Sequence, residues 1–191
     1  MRWFWALVLG FGLAGAAVAQ PAHPPRETAI FAGGCFWCVE SDFEHLNGVI
    51  EATSGYTGGS MPNPTYQNHE GHVEAVLVVY DPRRVSYAQL LHHFWRHHDP
   101  LDARGQFCDR GPSYAPAIFV TDEQRAEAER SKAETERVLG RSVATPIREA
   151  TRFWNAEDYH QDYYRRNSVQ YRFYRFRCGR DQRVEEVWRG H

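Results

Sequence analysis

Two thiols separated by two aromatic residues form the pattern with the clearest chemistry in this 191-residue sequence, the run Gly34-Cys35-Phe36-Trp37-Cys38. A short apolar run precedes it and a helix-like stretch follows it, which predicts that Cys35 lies where a strand turns into a helix. The unpaired N–H groups and the dipole of a helix N-terminus favour a thiolate over a thiol. We therefore expect Cys35 to be a nucleophile, with Phe36 and Trp37 holding a small apolar group against it. The alternative is a pair of buried structural cysteines at a helix start.

Hydrophobic periodicity on both sides of this turn predicts alternating strands and helices. Two of the helices begin at capping boxes, which open at Ser86 and Thr121, and Gly140 suits the end of the second. The interleaving predicts an α/β fold: a single domain with a mixed β-sheet core and flanking helices. Strands are expected at 28–33, 49–54, 72–80, 113–120 and 144–150, and helices at 35–46, 86–98, 121–139 and 156–167.

Two segments lack this periodicity and are predicted to be long irregular loops, residues 55–71 and 99–112. The first is rich in Gly, Pro, Asn, Ser and Thr. Long loops inside a compact domain are often functional, because a rigid scaffold can position side chains on them. We therefore expect both loops to carry residues that the chemistry requires.

The N-terminus has the features of a secretory signal peptide. One charge, at Arg2, is followed by an apolar run from Trp3 to Val18 that ends in Ala17-Val18-Ala19. We expect cleavage after Ala19 and export, in a bacterium to the periplasm. The alternative is an uncleaved membrane anchor, although the run is slightly short for the roughly 20 apolar residues that a span needs.

Removal of residues 1–19 leaves 172 of the 191 residues, enough for one domain with a sizeable core. We expect a flexible lead-in over residues 20–27 and one domain over residues 28–191. Loss of Arg2 takes the net charge from −2 to −3, which argues against nucleic acid and an acidic membrane surface as partners. The expected state is a monomer.

The four cysteines are Cys35, Cys38, Cys108 and Cys178. In an exported protein, four cysteines ordinarily indicate a disulfide framework, with three possible pairings. A chain of this length can be stable without disulfide cross-links, and two of the thiols lie at the predicted nucleophilic turn. Redox chemistry is therefore the preferred interpretation.

The run at 34–38 resembles the active-site signature of the peptide methionine sulfoxide reductases of the A type. Further motifs extend the resemblance over roughly residues 28–167. The resemblance implies that family's fold over residues 28–191, and thiol-dependent reduction of methionine S-sulfoxide to methionine without a cofactor. In the family's order, the motifs are Ser54-Gly55-Tyr56-Thr57-Gly58-Gly59, Asn63-Pro64-Thr65-Tyr66, Gly71-His72-Val73-Glu74-Ala75-Val76, Tyr80-Asp81-Pro82, His98-Asp99-Pro100 and Ala156-Glu157-Asp158-Tyr159-His160-Gln161.

Sulfoxide reduction requires a nucleophile on the sulfur and a proton or strong hydrogen bond on the oxygen. Cys35 would attack the sulfur and become a sulfenic acid, while Phe36 and Trp37 would enclose the methyl group. The resemblance implies that Glu74 is the acid, a buried carboxyl that stays protonated near neutral pH. Without the resemblance, Glu74 could equally be a solvent-facing strand residue, because alternation turns it away from Val73 and Ala75.

The resemblance also implies roles for three residues, Tyr66 and Asp109 in the two loops and Tyr114 just after the second loop. Tyr66 and Tyr114 would donate phenolic hydrogen bonds to the sulfoxide oxygen, since a tyrosine hydroxyl stays neutral up to about pH 10. Asp109 would orient the site or the incoming backbone. Ahead of Asp109 the family commonly has Gly-Asn, whereas this chain has Phe107-Cys108, so that Cys108 could be inert, a zinc ligand or a resolving thiol.

Two thiols are the main candidates for resolving the Cys35 sulfenic acid. Cys38 lies one helical turn further on, within reach of a disulfide. Cys178 lies in an aromatic and arginine-rich stretch, residues 171–178, where the family often has Gly-rich sequence, and arginines would lower its pKa. A relay from Cys38 to Cys178 is a third route. An exported enzyme of this kind also requires a thioredoxin-like reductant, because the periplasm is kept oxidising. Its substrates would be oxidised proteins or free methionine sulfoxide.

A thiol–disulfide oxidoreductase is the alternative within enzymes. It would use Cys35 and Cys38 as a thioredoxin-type pair. The long loop over residues 55–71 has no role in that scheme.

A secreted metal-binding module is the alternative outside enzymes. It would join Cys35 and Cys38 to Cys108 or to histidines as a zinc site, although a second Cys pair of zinc-ribbon spacing is missing. His93 and His97 have the i, i+4 spacing of metal ligands, but they lack the adjacent glutamate of the zincins. No metal site is therefore predicted.

Overall fold

Strand β1, Glu27–Ala32, ends at the turn that carries Cys35, and helix α1, Phe36–Glu44, begins directly after that residue. The structure, a computed structural model, describes residues 25–191. Gly34 has φ of 87°, and a Cβ at this position would lie 2.5 Å from the Gln106 side chain. Only glycine fits here, because it accepts the left-handed conformation and leaves room for the segment around Gln106. The turn therefore brings that segment against the predicted nucleophile.

The remaining strands complete a six-stranded sheet and a separate two-stranded hairpin. Their bounds are β2 Val49–Thr57, β3 Val73–Tyr80, β4 Gly105–Gln106, β5 Asp109–Arg110, β6 Ala117–Val120, β7 Ile147–Glu149 and β8 Trp154–Asn155. The sheet order is β7-β6-β1-β3-β2-β8, and β4 pairs with β5. All neighbouring strands of the sheet are antiparallel except β6 and β7, which are parallel. The mixed sheet confirms the α/β prediction.

The helices cover one face of this sheet and then extend to the C-terminus. Their bounds are α2 Tyr87–Trp95, α3 Asp122–Leu139, α4 Tyr163–Arg166, α5 Ser168–Arg177 and α6 Arg180–Trp188, with a 3-10 turn at Pro112–Tyr114. Both expected capping boxes are present, at Ser86 and Thr121. Gly140 ends α3 in the left-handed conformation, as expected.

The central strand β3 is buried on both faces. On one face, Val76 and Val78 pack with Phe36 and other apolar residues of α1, α2 and α3 in the main core. On the other face, Val73 and Ala75 belong to a smaller core with residues of β1 and β6. The alternation along β3 therefore separates two buried surfaces, and neither face of the strand is a solvent surface at this point.

Two predictions of secondary structure are wrong. The helix expected over residues 156–167 is a series of turns that ends in the short helix α4, because the Gln161 side chain pairs with both backbone groups of Ser54 and Asp162 adopts a left-handed φ of 52°. The strand expected over residues 113–120 begins only at Ala117.

Several other bounds differ from their predicted values. Strand β2 continues to Thr57, and α2 ends at Trp95. The strand expected over residues 144–150 is only Ile147–Glu149, and the loop over residues 99–112 contains the β4–β5 hairpin.

The expected signal peptide, residues 1–19, and most of the lead-in lie outside the described residues. Among residues 25–191, no helix has the length and hydropathy needed to cross a bilayer.

Candidate active site

A small cavity of about 80 Å³ lies at the turn between β1 and α1. All seven residues that the sequence assigned to catalysis and substrate binding line it, together with Tyr174, which the sequence did not assign. The cavity is large enough for the end of one side chain. Its lining residues are Cys35, Phe36, Trp37, Tyr66, Glu74, Asp109, Tyr114 and Tyr174.

Cys35 and Cys38 are free, buried thiols in contact with each other. Burial raises the pKa of Cys35 well above its ordinary value, and the neighbouring Cys38 and Glu74 raise it further. A hydrogen bond donated by Cys35 lowers the pKa of Cys38. Loss of water around the Cys35 sulfur therefore opposes the effect of the helix N-terminus, which favours the thiolate.

Two arginines of the C-terminal segment, Arg175 and Arg180, act on Cys38. Arg175 donates to Asp42 at 2.7 Å, and the buried Arg180 donates to the same carboxylate at 3.4 Å and to the Gly33 carbonyl at 3.1 Å. Both arginines lower the pKa of Cys38. The sequence placed both charges beside Cys178, whereas both side chains turn inward to Asp42.

Glu74 is buried, with 2% of its surface exposed, on the face of β3 that meets α1. The backbone N–H of Phe36 donates to its carboxyl group at 2.9 Å. Burial raises the pKa of Glu74 to about 8, although this hydrogen bond opposes the shift. At neutral pH the carboxyl is therefore mainly protonated, and it can donate a proton into the cavity beside Cys35.

Tyr66 and Tyr114 reach the cavity from two separate segments. Tyr66 is 38% exposed at the cavity mouth, whereas Tyr114 is half-buried at the end of the 3-10 turn. Burial raises the pKa of both phenols, so that both stay neutral as hydrogen-bond donors. Asp109 lies on the hairpin above the thiol and accepts a hydrogen bond from Tyr174.

The motif at residues 156–161 supports the cavity walls from outside. The Trp37 indole donates to Nδ1 of His160 at 3.0 Å, and the Trp37 ring stacks on Tyr163 with 3.8 Å between centroids. The backbone N–H of Tyr66 donates to Glu157 at 2.9 Å. Glu157 and His160 therefore position two cavity residues, a role that sequence motifs do not reveal because it depends on contacts across the fold.

Cys178 forms a disulfide with Cys108, and the two Cα atoms are 4.9 Å apart. The sequence offered Cys178 as a partner for Cys35 and left the role of Cys108 open. The pairing removes Cys178 from direct attack on a Cys35 sulfenic acid in this state. It also removes Cys108 from a zinc site with Cys35 and Cys38, the arrangement that a metal-binding module would need.

The histidine pair His93 and His97, the first on α2 and the second just beyond its end, is engaged by backbone carbonyls. His93 contacts the Asp42 carbonyl at 2.9 Å, and Nδ1 of His97 contacts the His93 carbonyl at 2.7 Å. The two rings stack on each other with 3.8 Å between their centroids. One ring nitrogen of each histidine is therefore engaged by a backbone carbonyl.

Tyr174 is the main residue of the site that the sequence missed. It lies on α5, for which no helix was predicted, and its ring meets the Trp37 ring edge-on with 6.0 Å between centroids. Its neighbours Phe173 and Phe176 are exposed, at 65% and 82%, so hydrophobicity gives no indication of which aromatic residues of α5 face inward.

A buried thiol, a protonated carboxyl and neutral phenols around one small cavity can attack a sulfur atom and protonate an oxygen bonded to it.

Comparison with known proteins agrees with this chemistry. The family model described as "Peptide methionine sulfoxide reductase" matches residues 27–191. The protein "Peptide methionine sulfoxide reductase MsrA 2" of Caulobacter vibrioides is 50% identical over 181 residues, which cover 92% of this chain and 92% of that relative. Its namesake from Rhizobium meliloti is 50% identical over 190 residues, which cover 97% of this chain and 92% of that relative.

Solved structures have the same fold. Reduced Mxr1 from Saccharomyces cerevisiae has a TM-score of 0.69 at 27% identity, over 75% of this chain and 86% of that chain. A structure of Mxr1 in complex with Trx2 has a TM-score of 0.54 at 23% identity, over 77% of this chain and 91% of that chain.

Proposed function

Since this chain belongs to the peptide methionine sulfoxide reductase family, we propose that its cavity acts on the S epimer of methionine sulfoxide, free or in proteins. The chain reduces methionine sulfoxide to methionine, and thiols supply the electrons. The observation that carries the assignment of the site is the cavity itself, where the Cys35 sulfur and the protonated Glu74 carboxyl meet.

The proposed reaction begins when the Cys35 sulfur bonds to the sulfoxide sulfur. Glu74 gives its proton to the sulfoxide oxygen, and Tyr66 and Tyr114 donate hydrogen bonds to the same atom. The hydroxyl group then passes from the substrate sulfur to the Cys35 sulfur: the substrate S–O bond and the new S–S bond break, and an S–O bond forms on Cys35. Methionine leaves, and Cys35 is left as a sulfenic acid. The substrate sulfur gains two electrons, which the Cys35 sulfur loses.

The two epimers of methionine sulfoxide test this assignment directly. Purified residues 20–191 are given each epimer, free and as an N-acetyl amide, with dithiothreitol as the reductant, and methionine formation is measured. Turnover is expected with the S epimer alone, because only one arrangement of the methyl group and oxygen fits between the aromatic residues and Glu74. Equal turnover of both epimers would disprove the proposed specificity, and turnover of neither would disprove the site.

We assign resolution of the sulfenic acid to Cys38. Its sulfur contacts Cys35, Arg180 and Arg175 lower its pKa, and Cys178 is already bonded to Cys108. Attack of the Cys38 sulfur on the Cys35 sulfenic acid forms a disulfide and releases water. The Cys38 route, one of those predicted from the sequence, is therefore the one that the geometry favours.

Cys38→Ser should complete one rapid turnover and then stop. One methionine should form per chain at close to the wild-type rate, while recycling by thioredoxin should fall by about 10²-fold or more, because no thiolate lies beside the sulfenic acid. Rapid-quench measurement of methionine and peptide mapping of the oxidised protein check both statements. Unimpaired recycling by thioredoxin in Cys38→Ser would exclude Cys38 as the resolving thiol.

The proposed reductant is a thioredoxin-like protein. Reopening an intramolecular disulfide takes two electrons and two exchange steps, which a dithiol protein supplies. The Cys35–Cys38 bond would be presented at the cavity mouth, where Tyr66 is exposed. The test compares the rate of enzyme recycling with thioredoxin as the reductant and with a monothiol as the reductant. Equal rates at equal thiol concentration would disprove the proposal.

We also propose that the chain is exported to the periplasm after cleavage behind Ala19, where it repairs oxidised proteins. The apolar N-terminal run and the Ala17-Val18-Ala19 ending support this proposal. Mass spectrometry of the protein purified from a periplasmic extract tests both export and the cleavage site. A chain that retains residues 1–19 in the cytoplasmic fraction would contradict export, and retention in the membrane fraction would favour the uncleaved anchor.

A further inference from the structure

Cys35 is buried in the substrate-free site, and burial raises the pKa of its thiol. A protonated sulfur has to lose its proton when it attacks. Tyr174 lines the cavity with Cys35 and donates a hydrogen bond to Asp109. The remaining titratable groups that face this thiol are Cys38, Glu74, Tyr66 and Tyr114. Glu74 is assigned to the substrate oxygen, and the two other phenols are neutral donors. Tyr174 and Cys38 are left as groups that can accept the proton.

We propose that Tyr174 is a further catalytic residue, which passes the Cys35 proton to Asp109, and that the Cys108–Cys178 disulfide is a brace that holds this pair in place throughout turnover. The proposal rests on the proposed function, since it describes a step of the same reaction. The proposal gives the Cys108–Cys178 disulfide a structural role, since this disulfide takes no part in the reaction of Cys35 and Cys38.

The proton transfer is balanced at every atom. As the Cys35 sulfur bonds to the substrate sulfur, its proton moves to the Tyr174 oxygen, and the hydroxyl proton of Tyr174 moves to the Asp109 carboxylate. Tyr174 is neutral before and after the step. Asp109 ends protonated and Glu74 ends ionised, so the net charge of the site is unchanged until solvent returns the proton.

The surroundings of Asp109 suit an acceptor. Burial raises its pKa above the ordinary value for an aspartate, which makes it a better base, although Tyr174 and Arg180 oppose the shift. Burial also raises the pKa of Tyr174, so that it passes a proton on and does not hold a charge. The neighbouring Tyr174 hydroxyl in turn lowers the pKa of Cys35.

The disulfide joins the same two segments as the Asp109–Tyr174 hydrogen bond. Cys108 directly precedes Asp109 on the hairpin, and Cys178 lies one helical turn after Tyr174, with its backbone N–H donating to the Tyr174 carbonyl at 2.9 Å. The disulfide lies one residue from Asp109 on the hairpin and one helical turn from Tyr174 on α5. It therefore limits how far the Tyr174 hydroxyl and the Asp109 carboxylate can separate.

Helix α5 contributes little to the apolar core, and its main polar anchor is the ion pair of Arg175 with Asp42. Tyr171 is its only buried residue, and the outward face exposes Val169, Phe173 and Phe176 at 67%, 65% and 82%. The hairpin, in contrast, is anchored at its base by Gln106, whose side chain bonds to the backbone of Asp99. The disulfide therefore ties a helix with few apolar contacts to the anchored hairpin, and in the proposal this is the reason for a second, oxidised cysteine pair.

Single-turnover kinetics test both parts of the proposal. The starting protein has Cys35 and Cys38 reduced and Cys108–Cys178 closed, the state of this structure. Tyr174→Phe should lower the rate of methionine formation by about 10²-fold, the scale of a positioned proton-transfer group. Tyr164→Phe is the matched control, since this half-buried tyrosine bonds Glu44 away from the cavity, and it should keep the wild-type rate.

Combining variants separates a shared proton path from a loss of packing. Asp109→Asn should be about as slow as Tyr174→Phe, and the double variant should be no slower than the slower single variant, because both residues act in one path. Additive losses would contradict the path. Wild-type rates in Tyr174→Phe, or a larger loss of the first turnover in Cys38→Ser, would transfer the role of proton acceptor to Cys38.

The brace is tested with Cys108→Ser/Cys178→Ser. This double variant should lose about as much first-turnover rate as Tyr174→Phe but should still be recycled by thioredoxin, and differential alkylation of the wild type should find the Cys108–Cys178 bond intact after turnover. A normal first turnover with lost recycling would show instead that this pair relays electrons. Circular dichroism checks the folding of each variant, and a wild-type protein without any turnover would refute the proposed function itself.

Discussion

Cys35→Ser should abolish sulfoxide reduction and leave only the rate seen without enzyme. A serine hydroxyl is a poor nucleophile toward sulfur and cannot take up the oxygen as a sulfenic acid, so both the attack and the oxidation that follows it are lost. The variant should fold normally, because Ser is close in size to Cys. Methionine formation in a single turnover measures the effect, and a dimedone adduct on residue 35 of the wild type identifies the sulfenic acid.

The comparison with Cys38→Ser makes this result specific. Both thiols are buried side by side, so a general loss of packing would affect both variants alike. Only Cys35 opens onto the cavity, and only its loss should remove the first turnover. Sulfoxide reduction by Cys35→Ser at an appreciable fraction of the wild-type rate would overturn the assignment of the nucleophile.

The sequence predicts much of the scaffold because local signals agree with the fold. The capping boxes at Ser86 and Thr121 begin α2 and α3, and the Gly34 turn lies between a strand and a helix as expected. The helix expected over residues 156–167 fails because Gln161 bonds to the backbone of Ser54, more than a hundred residues earlier. A single-sequence pattern does not contain that contact.

The site shows the same division between local and long-range information. Position in matched motifs found Glu74, but its burial depends on α1 covering one face of β3, which alternation alone does not determine. Tyr174 was missed because the aromatic residues of α5 divide between inside and outside without a hydrophobic pattern. Arg175 and Arg180 lie near Cys38 because both form ion pairs with Asp42. These long-range contacts depend on the fold and are not encoded in a local sequence pattern.

Glu74→Gln should lower the single-turnover rate by about 10²-fold or more, the contribution expected of a positioned general acid. Glutamine keeps the shape and can donate a hydrogen bond, but it cannot release a proton to the sulfoxide oxygen as the S–O bond breaks. Tyr66→Phe and Tyr114→Phe are the comparison, and each should lose less because the two phenols share that oxygen. A wild-type rate in Glu74→Gln across neutral pH would reduce Glu74 to a buried strand residue.

The pH dependence of the same variant tests the cause of the effect. Burial raises the pKa of Glu74 to about 8, so its acid form predominates at neutral pH and is lost as the pH rises through that value. The wild-type single-turnover rate should therefore fall above about pH 8, and Glu74→Gln should lack this fall.

The raised pKa of Glu74 also predicts how stability depends on pH. The folded protein binds this proton more tightly than the unfolded chain does, so the free energy of unfolding of the wild type should decline as the pH rises from the ordinary glutamate range toward 8. Glutamine carries no proton to lose, so the variant should become more stable than the wild type over that interval, as measured by urea unfolding at a series of pH values. Parallel stability curves for the two proteins would mean that the carboxyl is ionised in the folded state, and a different group would then have to protonate the sulfoxide oxygen.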